Sequence, residues 1–141
     1  MEAKRSSARE AAFSALMSCE KQGAWSDQAI RSAARKWALS ARDAALASNL
    51  CYGVVQNQLL LDFWIDTFST TPAVKLDPEV RISLRMALYQ LRFLDRIPAS
   101  AAVNESVGLV RRYTRNKGAA GLTNAVLRSF QRAEMPPEPA F

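Results

Sequence analysis

Apolar residues recur at spacings of three and four along most of the chain, which predicts helices throughout. The strongest pattern runs from Asp77 to Pro98. Val80, Leu84, Ala87, Leu88 and Leu91 fall on one helical face, and Ile82, Met86, Tyr89 and Phe93 on another. A surface helix shows one apolar stripe, so two stripes predict a central helix with neighbours on both sides. Asp77-Pro78-Glu79 reads as its start: an N-cap, a proline at the first helical position and a carboxylate at the positive end of the dipole. Arg81, Arg85, Arg92 and Arg96 line up between the stripes. Squeezed between buried faces, this row is expected to lay its stems over neighbouring helices and pair with acids such as Asp62 or Asp66, as scaffold more than contact surface.

The other elements follow the same logic. A first helix opens at Ser7, where Ser7 and Glu10 form a capping box, and Gly23 stops it. Ala12, Phe13, Leu16 and Met17 form its buried stripe. A second, capped by Ser26, spans Asp27 to Ala38, with Trp25 as an anchor before it. A third starts at Ser40 with Asp43 completing Ser-x-x-Asp, and turns Ala47, Leu50, Cys51, Val54 and Val55 inward. Gly53 inside this pattern predicts a close helix contact. Gln56-Asn57-Gln58 interrupts the pattern, and a fourth helix runs from Leu59 to Phe68. After the central helix, a sixth starts at Ser100, with an inner face that extends to Tyr113. Asn104, Gly108, Arg111 and Arg112 lie on its outer face. The loop Thr114–Gly118 leads to a seventh helix, Ala119 to Arg132, burying Leu122, Ala125, Val126 and Phe130. Seven helices with short loops predict an all-α bundle. The domain spans 1–133, and 134–141, with three prolines, reads as a tail or linker.

Composition narrows the chemistry. The chain has 141 residues and no histidine, which removes Ser-His-Asp and Cys-His catalysis. Cys19 and Cys51 match no metal or redox spacing and read as small buried hydrophobes in a reducing compartment. No metal site is expected. No apolar run suits a membrane span or a signal peptide, so a cytoplasmic protein without membrane contact is expected. The net charge of +6 is unevenly placed. Residues 1–80 hold nine basic and nine acidic side chains, but residues 81–132 hold ten basic and two acidic. Such one-sidedness is the electrostatic footprint of a polyanion binder.

The sharpest local feature is the loop Thr-Arg-Asn-Lys-Gly with the start of the seventh helix. Arg115 and Lys117 supply charge, and Gly118 to Gly121 leave backbone N–H groups open to an anion. The same small residues equally suit close helix packing. Asn104 and Asn124 sit on polar faces near arginines. They suit RNA contact, but a structural role, bonding a neighbouring loop, is the favoured reading. Asp95 and Glu105 read as partners for arginines, not as catalytic acids. No glycine-rich turn for a dinucleotide or for S-adenosylmethionine is present, so no cofactor is expected in this chain.

The stretch LRMALYQLRFLDRIPASAAVNESVGLVRRYTRNKGAAGLTNAVLRSFQR resembles the NusB-like helical domain, most specifically over residues 83–128. That domain occurs as the free-standing antitermination factor and at the N-terminus of RsmB/Sun-type 16S rRNA 5-methylcytosine methyltransferases. KGAAGLTNAVLR, and Leu50 to Val55 followed by Leu61-Asp62-Phe63-Trp64-Ile65, are similar to the methyltransferase version. Two departures stand out: Gln56-Asn57-Gln58 replaces an arginine-rich stretch, and Gly108 replaces a usual acid, which makes that face more basic. The resemblance implies two helical sub-bundles that bind RNA, with catalysis left to a following domain. The chain itself is then not an enzyme. Arg5, Arg9, Arg111, Arg112, Arg115, Lys117, Arg128 and Arg132 are the expected RNA contacts. The partners implied are ribosomal RNA and either a C-terminal methyltransferase domain or a ribosomal protein. The alternatives are the free-standing antitermination factor or a protein-interaction adaptor, which exposed apolar residues on the Leu59–Phe68 helix would favour.

Overall fold

The computed structural model describes residues 7–133 and 136–139. Among them are seven α-helices and one short 3-10 turn: α1 (Ser7–Gln22), α2 (Asp27–Lys36), α3 (Ala41–Gln56), α4 (Gln58–Phe68), the turn Ala73–Lys75, α5 (Pro78–Phe93), α6 (Ala99–Tyr113) and α7 (Ala119–Arg132). Helices α1 to α3 pack on one another, α4 to α7 form a second group, and α5 touches α1, α3, α4, α6 and α7. The all-α bundle and its central helix are as the apolar pattern predicts.

The reason α5 sits at the centre is its two stripes. Val80 and every residue from Ile82 to Gln90 are buried. Leu84, Ala87 and Leu88 are fully enclosed, as are Leu50 of α3, Leu61 and Ile65 of α4, and Leu127 of α7. Each fully buried aliphatic side chain contributes about 1.5–3 kcal/mol. A partly exposed ion pair contributes at most about 1 kcal/mol, so the apolar stripes fix the bundle and the charges adjust to it. Gly53 is where α3 meets α5 most closely: the Tyr89 ring occupies the space that a Cβ at position 53 would need. The Tyr89 hydroxyl then donates to Asn49 Oδ1 at 2.7 Å.

Helix ends follow the sequence signals in part. Gly23, at φ +78°, ends α1 in a Schellman turn, with Gly23 N–H to Glu20 O at 3.2 Å and Ala24 N–H to Cys19 O at 3.2 Å. Ser40 Oγ accepts from Asp43 N–H at 3.1 Å. Ser26 and Asp77 stand at their N-cap positions, but neither side chain caps. Their backbone carbonyls already take the N–H groups of Ala29 and Val80. Ser7 is the first residue of α1, its side chain and the capping box expected there lie outside the described residues, and Glu10 Oε1 lies toward Arg112. α2 ends at Lys36, two residues before the expected Ala38. Ala38 lies at φ +49°, where it closes a second Schellman turn through Leu39 N–H to Ala34 O at 3.0 Å.

The apolar pattern misplaces a few side chains. Val55, Phe93 and Tyr113 lie at stripe edges and are exposed. Ala125 is exposed, while Leu127 takes the core position on α7. The proline-rich tail is tied to the domain: Trp64 Nε1–H donates to Pro137 O at 2.8 Å. Trp64 is itself buried against Phe130, with ring centroids 5.1 Å apart.

Two stability predictions follow from these contacts. Ala38→Gly removes the left-handed penalty of an L side chain and is expected to stabilise the fold by about 1 kcal/mol, read as a rise of a few degrees in thermal midpoint. Gly53→Ala forces the Tyr89 ring outward and is expected to cost about 1–3 kcal/mol. An unchanged midpoint in the second variant would show that the ring is free to move aside.

Candidate nucleic-acid interface

The arginines divide into those the fold consumes and those it leaves at the surface. Arg81 pairs with Glu20 and also donates to the Leu76 carbonyl at 2.7 Å. Arg85 grips Asp62 with two bonds, Nε to Oδ1 at 2.7 Å and Nη2 to Oδ2 at 2.9 Å. The expected pairing with Asp62 is therefore present, and Arg81 takes Glu20 in place of Asp66. Arg92 and Arg96 are exposed, with Arg92 against the Phe93 ring 5.6 Å from its centroid. The row is scaffold only in its first half.

Arg9 does not reach the surface. It is 8% exposed, and its Nε–H donates to Gln90 Oε1 at 2.8 Å. Desolvation lowers its pKa, opposed by the charge of Glu105. As an RNA contact Arg9 is thus corrected to an internal tie between α1 and α5. The sequence carried a signal for this: Ala8, Ala11, Ala12 and Ala15 surround α1 with small residues, and all are buried. A helix buried on most sides takes its polar residues inside with it. Glu10, 2% exposed, is enclosed for the same reason and lies 2.7 Å from Arg112 Nη2. Gly108 makes that approach possible, since a Cβ there would sit 3.2 Å from Arg112 Nη1. Arg112 is therefore mostly spent on Glu10. Arg5 lies outside the described residues.

Arg111, Arg115, Lys117, Arg128 and Arg132 are exposed. None makes an ion pair with a described acid. Arg115 and Lys117 sit in the loop before α7. There Gly118 N–H donates to Asn116 Oδ1 at 3.0 Å and Ala119 N–H to Asn116 O at 3.1 Å. Asn116 thus satisfies two amides of the helix start, and the open amides are those of Ala120 and Gly121. Arg128 and Arg132 belong to an open groove of about 490 Å³ between α6 and α7, also lined by Ser100, Asn104, Asn124 and Gln131. Asn104 and Asn124 make no side-chain hydrogen bond to a described residue, so the structural locking role expected for them is corrected. Their amides face the groove's solvent beside two arginines, because α6 and α7 bury the opposite faces through Val103, Val107, Val126 and Phe130.

A second hollow, about 440 Å³, escaped the sequence reading. It is lined by Phe13, Met17, Lys21, Lys36, Trp37, Glu79 and Tyr113, among others. Tyr113 is 43% exposed and leans on Phe13, with ring centroids 4.9 Å apart. Trp37 Nε1 is buried and has no acceptor among the described residues. Planar aromatic faces rimmed by two exposed lysines can stack an unpaired base while holding its phosphate. Its residues come from α1, the end of α2, the start of α5 and the end of α6, so only the tertiary fold assembles it.

The sequence profile described as the NusB family matches residues 6–132. A probable ribosomal RNA small subunit methyltransferase B of Synechocystis sp. is 41% identical over 91% of this chain. The chain spans only 28% of that relative's length. The transcription antitermination protein NusB of Ruminiclostridium cellulolyticum is 28% identical over 95% of this chain and 92% of its own length. Among solved structures, the antitermination factors NusB and NusE in complex with dsRNA include a chain that superposes with a TM-score of 0.82 at 21% identity, covering 91% of this chain and 96% of the other. That likeness bears on the fold, and the profile match covers nearly the whole sequence: the chain belongs to the NusB family.

Proposed function

We propose that this domain is the non-catalytic RNA-binding part of an RsmB-type rRNA cytosine-C5 methyltransferase, and that it holds ribosomal RNA for a catalytic domain elsewhere in the protein. The observation that carries this reading is the set of five exposed cations on α6, α7 and their connecting loop. Among the described residues they have no acidic partner, while Arg81, Arg85 and Arg112 are paired. Phosphates satisfy such a surface, with the asparagine-lined groove offering amides to bases or 2′-hydroxyls. The 41% identity to the N-terminal part of a methyltransferase B relative, against 28% to a free-standing antitermination protein, favours this setting. The aromatic hollow adds a stacking site for an unpaired base on Tyr113.

Charge and stacking have separable signatures. Binding of a single-stranded rRNA fragment is expected to weaken with salt, with log K falling against log salt at a slope near −3 for about four neutralised phosphates. Arg115→Gln and Arg128→Gln should each reduce the steepness by roughly 0.7. Tyr113→Ala should leave the slope unchanged and cost about 1–3 kcal/mol of affinity. Fluorescence anisotropy at several salt concentrations reads all of these. Absence of binding at low salt would remove the RNA reading altogether. Binding that ignores Tyr113→Ala would remove only the stacking site.

A further inference from the structure

One surface is left unexplained by nucleic-acid binding: a ridge and groove on α1, α3 and α4. Trp25 stands edge-on to Tyr52, with centroids 5.4 Å apart. Tyr52, Val55 and Leu59 follow at helical spacing across the α3–α4 junction and are 38%, 36% and 76% exposed. The junction scarcely interrupts the helical path, since Asn57 N–H bonds Gly53 O at 3.1 Å and Leu61 N–H bonds Asn57 O at 2.9 Å. Side chains three and four apart therefore continue as one apolar ridge. Beside it runs a groove of about 280 Å³, with Leu16, Cys19, Val54 and Ile82 among its walls and Glu20 and Arg85 among its polar groups. An adjoining hollow of about 290 Å³ shares Glu20 and Arg85, and adds Asp62, Asp66 and the 84% exposed Val74.

The hollow is locally acidic, with Glu20, Asp62 and Asp66 against Arg81 and Arg85. Glu20, Asp27, Asp62 and Asp66 border the ridge and hollow. Arg81 and Arg85 answer two of them, and Arg31 acts on Asp27. Asp62 uses both oxygens on Arg85. Asp66 uses Oδ1 on the Ala73 amide at 2.8 Å. Glu20 meets Arg81 through Oε1, and its Oε2 is buried with no hydrogen-bond donor among the described residues. An apolar ridge beside carboxylate oxygens with spare acceptor capacity disfavours a polyanion. It complements a chain segment that is apolar on one side and cationic on the other.

We propose that this groove docks a protein partner through a cationic amphipathic helix. The partner's apolar side chains lie along Trp25, Tyr52, Val55 and Leu59, and a lysine or arginine reaches the exposed Asp66 carboxylate, whose Oδ2 is left over from the Ala73 bond. The inference is independent of the RNA reading, because it shares no residue with the cationic surface or the aromatic hollow.

The test uses a synthetic amphipathic peptide of Leu and Lys, about 18 residues long so that it forms a helix, with Ser/Lys and Leu/Glu analogues as controls. The Leu/Lys peptide is expected to bind saturably at physiological salt and to change tryptophan emission, while both analogues fail to bind. Val55→Asp with Leu59→Asp should weaken binding at least about tenfold, as loss of a central apolar anchor does. Asp66→Asn should weaken it by a smaller factor. Circular dichroism should show unchanged helix content, since both ridge residues are exposed. Three results would each overturn the proposal: no saturable peptide binding, or binding indifferent to the ridge variants; loss of rRNA-fragment binding in the ridge variant, which gives the face to nucleic acid; or a concentration-dependent dimer abolished by that variant in sedimentation, which gives it to a second copy of this chain.

Discussion

The enclosure of α5 is the constraint on which the structure depends. A helix with five neighbours has no face to give to water, so each polar group on it needs an internal partner. Gln90 supplies Oε1 to Arg9 and donates Nε2–H to Met86 O at 3.0 Å. Ser106 of α6 donates to Ser83 O at 2.9 Å. Arg81 and Arg85 reach outward along the helix surface to Glu20 and Asp62. These ties cross from α5 to α1, α4 and α6, so the two helical groups are joined by polar contacts as well as by the apolar stripes. Their net contribution is modest, about 1 kcal/mol each. Leaving any one of them unmade would cost more than making it gains, and this gives α5 a single preferred seating.

The same constraint sorts the cations. An arginine near the centre is stripped of water and must be matched by a carboxylate or carbonyl. An arginine beyond the packed stripes keeps its hydration and its charge. Acids are common up to Glu79 and scarce afterward, so the early arginines of α5 find partners among the first four helices, while of the cations on α6, α7 and their loop only Arg112 pairs with a described acid, Glu10. The excess charge of the chain therefore gathers on the last two helices. The first eighty residues are balanced in charge, and of their helices α4 carries Asp62 and Asp66 with no cation of its own. One gradient in the sequence, from balanced to basic, thus separates a mixed-charge surface from a cationic one.

Much of the scaffold was legible in the sequence because periodicity reports faces. The helix order, the centrality of α5, the contact at Gly53 and the Ser40 cap all follow from spacing and residue type. Periodicity does not report what a face meets. Tyr113 ends a well-formed stripe, yet at the last residue of α6 its ring is 43% exposed against Phe13. Val55 and Phe93 are likewise apolar residues at stripe edges. The aromatic hollow draws residues from four helices far apart in sequence, and no local pattern encodes that meeting. The caps at Ser26 and Asp77 failed for a simpler reason: the backbone carbonyl competes for the same amide and is already in place.

Gly108 shows that a count of charges on a helix face leaves out where those charges are spent. Without an acid there, α6 reads as more basic on its outer face. In the structure, Arg112 lies close along α6 past Gly108, where a Cβ would sit 3.2 Å from Nη1. The guanidinium reaches Glu10, whose carboxylate is 2% exposed and would otherwise be an uncompensated buried charge. Breaking such a pair from one side costs roughly 3–5 kcal/mol, far more than one surface phosphate contact gains. Glu10 therefore holds one cation of α6 inward, and the outer face is less basic than a count of its residues implies. What remains for binding is the set that no buried acid claims: Arg111, Arg115, Lys117, Arg128 and Arg132.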